Sequence, residues 1–410
     1  MLRFGQIDPH GELRKGWRNL AAAAIGIGLG IASYPPVSSL FLASLEKEFG
    51  WSKVAASGAL IALPIAALAL PLAGWLIDRF GVRVVSAVSA VGVALSYVWL
   101  SRMSGAVNQF YLALILLNVV GCATGPVAYT RLVAAQFKKS RGTALAISLF
   151  GIAFISILMP QFIGAAIGSY GWRGGYLAFA AAAGGGALFA QLLMQPVAMS
   201  AGHGKGDGVP IHAALASRVF WILGLAILAI SAAAFGIVAQ FQSVMGDRQI
   251  GLHAATLYLS LLAFSVMVSR LMVGRALDLA RPERWAAGAM LIAAAGAALL
   301  LVGPTGSLAT GLAVMLLGFS IGAELDLMSF FCARLFGIGH YAAIYGFLSM
   351  FFYAGIAAGS VGYGVSRSVT GSYATGIFGS ALLLVIAAAL FMLLGTTPST
   401  TFRKNGNVAT

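Results

Sequence analysis

Twelve long apolar runs recur along the chain, and they limit its fold more than any other feature. Each run has about 19 to 27 residues, and at about 1.5 Å per residue a helix of that length crosses a hydrocarbon core of about 30 Å. The runs are continuous rather than alternating, which favours helices over a β-barrel. The sequence therefore predicts an all-α polytopic membrane protein. The predicted transmembrane helices lie near residues 19–43, 53–77, 84–101, 109–135, 142–168, 174–197, 219–244, 252–277, 285–303, 308–333, 341–365 and 373–395.

The basic residues are distributed unevenly between the loops. The chain has a net charge of +14, but only 9% of its residues are charged. The termini and even-numbered loops hold about sixteen Lys and Arg and the odd-numbered loops about six, which is the positive-inside asymmetry. We therefore expect both termini in the cytoplasm and no binding to nucleic acid. Cys122 and Cys332 lie in different runs without CxxC spacing, so we expect no disulfide, metal site or cofactor.

The chain is predicted to contain two six-helix halves. A polar, Gly-rich stretch at 198–217 separates an N-terminal bundle at 19–197 from a C-terminal bundle at 218–395, with cytoplasmic tails at 1–18 and 396–410. The two halves contain an internal sequence repeat, because Gly74 and Asp78 recur as Gly274 and Asp278 at an offset of 200 residues. Parallel six-helix repeats are typical of transporters, which bind substrate at mid-membrane between the halves.

The stretch GWLIDRFGVR at 74–83 resembles the GxLxDRxGxR signature of the major facilitator superfamily, at the loop where that family carries it. Other stretches resemble its monocarboxylate and oxalate/formate type porters, among them EFGWSK at 48–53, YGWRGGYL at 170–177 and VSRLMVGRALD at 268–278. The resemblance covers all twelve predicted helices. It implies a secondary transporter that works by alternating access.

The resemblance also implies a gate in the loop after the second helix. It implies that Asp78 latches this loop against the other half in the outward-open state, through neighbouring arginines and a helix end. The dipole at the N-terminus of helix eleven would favour such a contact. The gating residues that the resemblance implies here are Gly74, Asp78, Arg79, Gly81 and Arg83, with Gly274 and Asp278 in the second half.

Three charged residues lie deep in the apolar runs: Arg270, Glu324 and Asp326. An unpaired charge at such a depth costs about 2.5 to 3.5 kcal/mol, so each should face a partner or an aqueous cavity. The repeat counterpart of Arg270 is Leu70, and an arginine in its place adds a forked donor suited to a carboxylate.

The resemblance implies that Arg270 binds substrate, because the monocarboxylate type carries its substrate-binding arginine at this place in helix eight. That type often has an aspartate four residues earlier, where this chain has Val266. We therefore expect Glu324 or Asp326 to exchange a proton or to pair with Arg270, and the other acid to pair with Arg334 or Arg131. The alternative is that all these charges only hold helices together.

Several polar and aromatic residues within the runs are weaker candidates for a cavity wall. They are Tyr34, Tyr129, Gln161, Gln240, Phe351, Phe352 and Tyr353. The stretch GFSIG at 318–322 fits a nucleophile elbow, but it lies inside an apolar run rather than between a strand and a helix. The sequence therefore predicts no enzyme.

The predicted function is proton-coupled uptake of a small organic anion, a mono- or dicarboxylate, by a monomer in a bacterial cytoplasmic (inner) membrane. A proton-driven exporter or antiporter of amphipathic compounds would use the same fold. A non-transporting membrane receptor or assembly factor is the alternative from another class, but such a protein would not need the loop signature or the buried charges.

Overall fold

The computed structural model describes residues 9–51, 62–196, 208–304 and 308–396. Within these residues the regular structure is helical, apart from one isolated bridge between Gly208 and Gly337. The chain divides into two compact units, residues 1–207 with 338–347 and residues 208–337 with 348–410.

The first unit contains the first six predicted spans. Its helices are Pro9–Leu29, Ser38–Phe49, Ala62–Phe80, Val82–Ser101, Val107–Gly121, Pro126–Gln136 and Arg141–Leu193. The last of these has 53 residues, but Gly171 within it has a non-helical φ of 69° and divides it where the sequence predicts a loop. Two prolines interrupt the first span at residues 35 and 36, because proline lacks the N–H that an α-helix requires. The helical segments Gly11–Leu29 and Ile31–Leu42 meet at 50° across Gly30, shortly before these prolines.

The second unit contains the remaining predicted spans. Its helices are Ile211–Ala216, Arg218–Ala239, Phe241–Asp247, Leu252–Leu277, Pro282–Val302, Leu308–Phe336 and Ala374–Thr396. The Tyr341–Thr370 helix begins in the first unit and continues from Leu348 in the second.

Nine helices in the described part of the chain are long and apolar enough to cross a membrane, or ten if the bent pair is one span. With Arg141–Leu193 divided at Gly171 and the Ala62–Phe80 helix included, each of the twelve predicted spans overlaps helical structure, although residues 53–61 of the second span lie outside the described residues. The predicted all-α polytopic fold is confirmed.

The repeat is visible in the backbone as well as in the sequence. Residues with left-handed φ angles recur 199 or 200 positions apart, each at the end of a helix or in the turn between two helices. They are Gly50 (φ 68°) and Gln249 (58°), Gly81 (86°) and Arg281 (61°), and Gly171 (69°) and Gly371 (70°). An L-residue adopts such an angle at a steric cost that glycine avoids, so Arg281 keeps the turn geometry without the usual residue.

Helical structure extends beyond some of the predicted bounds. The first helix begins at Pro9 rather than near residue 19, and its Glu12 carboxylate accepts hydrogen bonds from the backbone of Lys138 and Ser140, each at 2.9 Å. The predicted linker includes a short helix, Ile211–Ala216. The rest of the linker at 198–207 and the tails at 1–8 and 397–410 lie outside the described residues.

Candidate functional site

The Asp78 carboxylate lies at the start of the Tyr341–Thr370 helix. Its Oδ1 accepts a hydrogen bond from Arg131 Nε at 2.6 Å and from Ala342 N at 3.2 Å, while Oδ2 accepts from Ala343 N at 2.9 Å. Both side chains of the Asp78–Arg131 pair are only 7% exposed. The first N–H groups of a helix have no intrahelical partner and carry partial positive charge, so a carboxylate both satisfies and stabilises them.

Glycines let the backbones meet beside Asp78. A Cβ atom on Gly74 would overlap the carbonyl of Ala342. On the facing helix, a Cβ on Gly346 would lie 2.5 Å from Leu70 O and 2.8 Å from Pro71 Cα. Because both obstacles are backbone atoms, neither position has room for a larger residue without separating the helices.

The remaining residues of the loop signature have other surroundings. Gly81 alone forms the turn between two helices, with φ 86°. Arg79 is exposed and lies over the Trp75 ring, 5.2 Å from its centroid. Arg83 is also exposed and donates to Gln191 O at 3.4 Å. Arg131 is therefore the arginine that the structure places on Asp78.

The second half uses the echoed residues differently. Gly274 is buried in the last turn of its helix, and Asp278 is the C-cap residue that follows. Arg334, which lies near the end of the tenth span as Arg131 lies near the end of the fourth, pairs with Glu283 at 3.1 Å. The repeat thus keeps an arginine at the end of its fourth helix but changes the acid that it meets.

Three buried ionisable side chains lie together inside the second unit. Arg270 is 5% exposed, Glu324 1% and Asp326 0%. Arg270 Nη1 lies 3.4 Å from Asp326 Oδ2, whereas Glu324 Oε1 contacts the hydroxyl of Ser231. The two acids are two residues apart on one helix, so they face different neighbouring helices.

Several polar atoms of this cluster have no hydrogen-bond partner among the described residues. They are Nε and Nη1 of Arg270, Oε2 of Glu324, and both carboxylate oxygens of Asp326. The Arg270–Asp326 contact is thus an ion pair without hydrogen-bond geometry. Buried polar groups are normally paired, so the cluster retains donors and acceptors for another ligand.

The sequence analysis expects one of the two buried acids to pair with Arg334 or Arg131, but both arginines pair with other carboxylates. Arg334 meets Glu283, and Arg131 meets Asp78. Glu324 has Ser231 as its contact instead.

The weaker candidates fall in both units. In the first unit, Tyr34 belongs to an aromatic core with Tyr97 and Phe179, each ring centroid 6.1 Å away. Tyr129 is 1% exposed and packs against Gly26. Gln161 is exposed on the Arg141–Leu193 helix.

In the second unit, Gln240 is half-buried in the break that follows the Arg218–Ala239 helix. Phe352 packs edge-on against Phe235 at 5.6 Å and against Tyr353 at 5.2 Å. Phe351 instead packs against Phe220 and Trp221.

A sequence profile described as Major Facilitator Superfamily matches residues 19–360. The chain belongs to this superfamily. A search of curated protein sequences found no match.

Solved structures of superfamily members share the fold of this facilitator. A variant of the E. coli fucose:proton symporter FucP is 14% identical, with a TM-score of 0.74 over 94% of this chain and 100% of that one. The human organic anion transporter MFSD10 is 17% identical, with a TM-score of 0.69 over 93% and 98%. The proton:xylose symporter XylE, bound to 6-bromo-6-deoxy-D-glucose, is 16% identical, with a TM-score of 0.69 over 94% and 96%. Identities this low show the fold alone.

This facilitator is therefore an integral membrane protein and a transporter rather than an enzyme. The sequence did not indicate two of its contacts. Ser231 carries no distinguishing pattern, because serines in apolar helices usually bond only to the preceding turn of their own helix. Gly346 is one of many glycines in the sequence, and its neighbouring residues do not indicate that it approaches Leu70 closely.

Proposed function

We propose that this facilitator takes up a small organic anion, a mono- or dicarboxylate, together with a proton. The observation that carries the proposal is Arg270, a buried arginine beside two buried acids, whose Nε and Nη1 have no hydrogen-bond partner among the described residues. A guanidinium binds a carboxylate through charge-assisted hydrogen bonds, and burial removes the competition of water. One of the acids carries the proton that accompanies the substrate.

The fold supports this proposal without identifying the substrate. One solved structure of the same fold is named as an organic anion transporter and two as proton symporters. The motifs that resemble monocarboxylate and oxalate/formate porters favour the same class of anion. The distribution of basic residues supports cytoplasmic termini in a bacterial inner membrane.

We assign the other candidate residues to two roles. Phe352, Tyr353 and Gln240 of the second unit contribute to the wall around the organic part of the substrate, and Tyr34, Tyr129 and Gln161 are the weaker candidates, in the first unit. The loop signature, from Gly74 to Arg83, gates the transport cycle through the Asp78 contact with the Tyr341–Thr370 helix.

Uptake by purified protein in liposomes tests the proposal. Labelled mono- and dicarboxylates are supplied outside, and the outside is acidified. We expect accumulation that collapses when a protonophore removes the pH gradient. Proton-driven efflux of neutral amphipathic compounds would instead identify an exporter, and absence of any transport would favour a receptor or assembly factor.

Three arginine variants make the test specific. We expect Arg270→Leu, which installs the residue of the first half, to lower uptake by about tenfold or more, since charge-assisted hydrogen bonds are lost. Arg270→Lys keeps the charge but loses the fork and should recover only part of the uptake. Arg275→Leu alters an exposed arginine of the same helix and should leave uptake within about twofold. Uptake that survives Arg270→Leu unchanged would remove Arg270 from the site.

A further inference from the structure

The buried cluster of the second unit contains one cation and two acids. Arg270, Glu324 and Asp326 are all at most 5% exposed. The ion pairs found in the described part of the chain bring no second cation to either acid. If both acids were ionised, one negative charge would be buried without a counter-ion. Removing an ion from water in this way costs on the order of several kcal/mol. One of the two acids therefore holds a proton.

The contacts distinguish the two acids. Asp326 lies 3.4 Å from Arg270 Nη1, so it is the acid with a counter-ion. Glu324 contacts a neutral hydroxyl, Ser231 Oγ, on the Arg218–Ala239 helix. A neutral carboxyl group suits a neutral partner, whereas an ionised one gains most from a cation.

The hydroxyl of Ser231 has one proton and two neighbours. Its Oγ lies 2.9 Å from the carbonyl oxygen of Ile227 and also contacts Glu324 Oε1. A carbonyl oxygen only accepts, so one arrangement satisfies both contacts. The protonated carboxyl of Glu324 donates to Ser231 Oγ, and the Ser231 hydroxyl donates to Ile227.

The first unit shows that packing does not require an acid at this contact. The counterpart of Ser231, 200 residues earlier, is Ile31, whose N–H donates to Thr124 Oγ1 at 3.0 Å. The side chain of Ile31 also lies beside Gly121. The corresponding pair of helices in the first unit thus meets through uncharged residues, and Glu324 is an addition of the second.

We propose that Glu324 carries the exchangeable proton, that Ser231 positions its protonated form, and that Asp326 is the fixed counter-ion of Arg270. This inference rests on the proposed proton-coupled transport. In a conformation that admits water, the Glu324 carboxyl releases its proton to water and becomes a carboxylate. The Ser231 hydroxyl then turns its proton from Ile227 O to Glu324 Oε1, so the carboxylate keeps its hydrogen bond to Ser231 while the bond to Ile227 is lost.

Within the described part of the chain, few other charged groups lie on the helices around Glu324. The Leu252–Leu277 helix contributes Arg270 and, in its last turn, the exposed Arg275, and the helix of Glu324 itself contributes Asp326 and, near its end, Arg334. The Arg218–Ala239 helix has Arg218 only at its start, and Pro282–Val302 has its Glu283 and Arg284 in the first turn. The proton on Glu324 is therefore governed chiefly by Arg270 and Asp326.

Infrared spectroscopy of the full chain in lipid detects a protonated carboxyl directly through its C=O stretching band. We expect such a band near neutral pH and expect Glu324→Gln to abolish it. Ser231→Ala should keep the band but move it to higher wavenumber, because the carboxyl loses its hydrogen bond, and Ser231→Thr should restore the position. A band that is absent from the unaltered protein, or that persists in Glu324→Gln, overturns the assignment.

A transport measurement tests Ser231 separately. Ser231→Ala should lower proton-driven uptake by about fivefold to tenfold, as expected for one lost hydrogen bond, and Ser231→Thr should return it to within about twofold. Equal uptake in the Ala variant and the unaltered protein overturns the positioning role. The infrared measurement needs no transported substrate. If uptake fails while the C=O band of Glu324 is present, only the proposed transport function is rejected. Uptake without that band rejects the proton assignment alone.

Discussion

Asp78 caps the Tyr341–Thr370 helix from a helix that lies more than 250 residues earlier, with its Oδ2 2.9 Å from Ala343 N. The same carboxylate holds Arg131 at 2.6 Å, so a single acid connects three helices. A contact made of one carboxylate and two backbone donors can break and re-form as a unit, which suits a gate.

We expect Asp78→Asn to slow transport more than it weakens substrate binding. An amide loses the charge that Arg131 and the helix N-terminus stabilise, so the balance between transport conformations shifts while the Arg270 cluster is untouched. The maximal uptake rate should fall by about tenfold, with KM within about twofold. Asp278→Asn, at the repeat-related position, is the matched control and should have a smaller effect. A normal rate in Asp78→Asn would refute the gating role.

A methyl group at Gly346 should interfere with the same contact. Its Cβ would lie 2.5 Å from Leu70 O, so Gly346→Ala must separate two backbones. Gly364 lies on the same helix with nothing within 4 Å of its Cβ position, and there alanine adds helix propensity of about 1 kcal/mol. We expect thermal unfolding at lower temperature and slower uptake for Gly346→Ala, and equal or higher stability for Gly364→Ala. Indistinguishable variants would show that the close approach is not required.

Glu48 should make the stability of the first unit depend on acidity. Hydrogen bonds from Trp172 Nε1 at 2.5 Å and Arg173 Nη1 at 2.7 Å lower the pKa of this exposed carboxyl. A lowered folded-state pKa contributes stability that is present above the unfolded-state pKa and is lost as pH falls through the folded-state pKa.

Melting temperatures across an acid titration measure this contribution. We expect the melting temperature of Glu48→Gln to fall less steeply as the pH is lowered, because glutamine keeps the side-chain shape but cannot ionise. Glu46→Gln, two residues away on the same helix, is the control and should retain the slope of the unaltered protein. Equal slopes in all three proteins would contradict the assignment.

The sequence predicted the helices well and the contacts poorly, for a physical reason. Bilayer thickness sets the length of an apolar helix, so each span can be read from local composition. The loop signature likewise located Asp78. Its arginine partner could not be read locally, because Arg131 is 53 residues away whereas Arg79 and Arg83 are adjacent and point outward. Pairings of this kind depend on helix packing, as does the proximity of Ser231 to Glu324.

Variants of Tyr34 can show whether this residue packs in the core or contacts the substrate. It is 9% exposed and touches Tyr97 and Phe179, so its ring fills space in the first unit. Because the ring fills this core, we expect Tyr34→Phe to leave uptake and KM nearly unchanged and Tyr34→Ala to destabilise the protein by about 3 to 5 kcal/mol through the cavity that it creates. Tyr170→Ala removes a ring that is 79% exposed and should have little effect on stability. A raised KM in Tyr34→Phe without a change in melting temperature would instead place the hydroxyl against the substrate, as the sequence predicts.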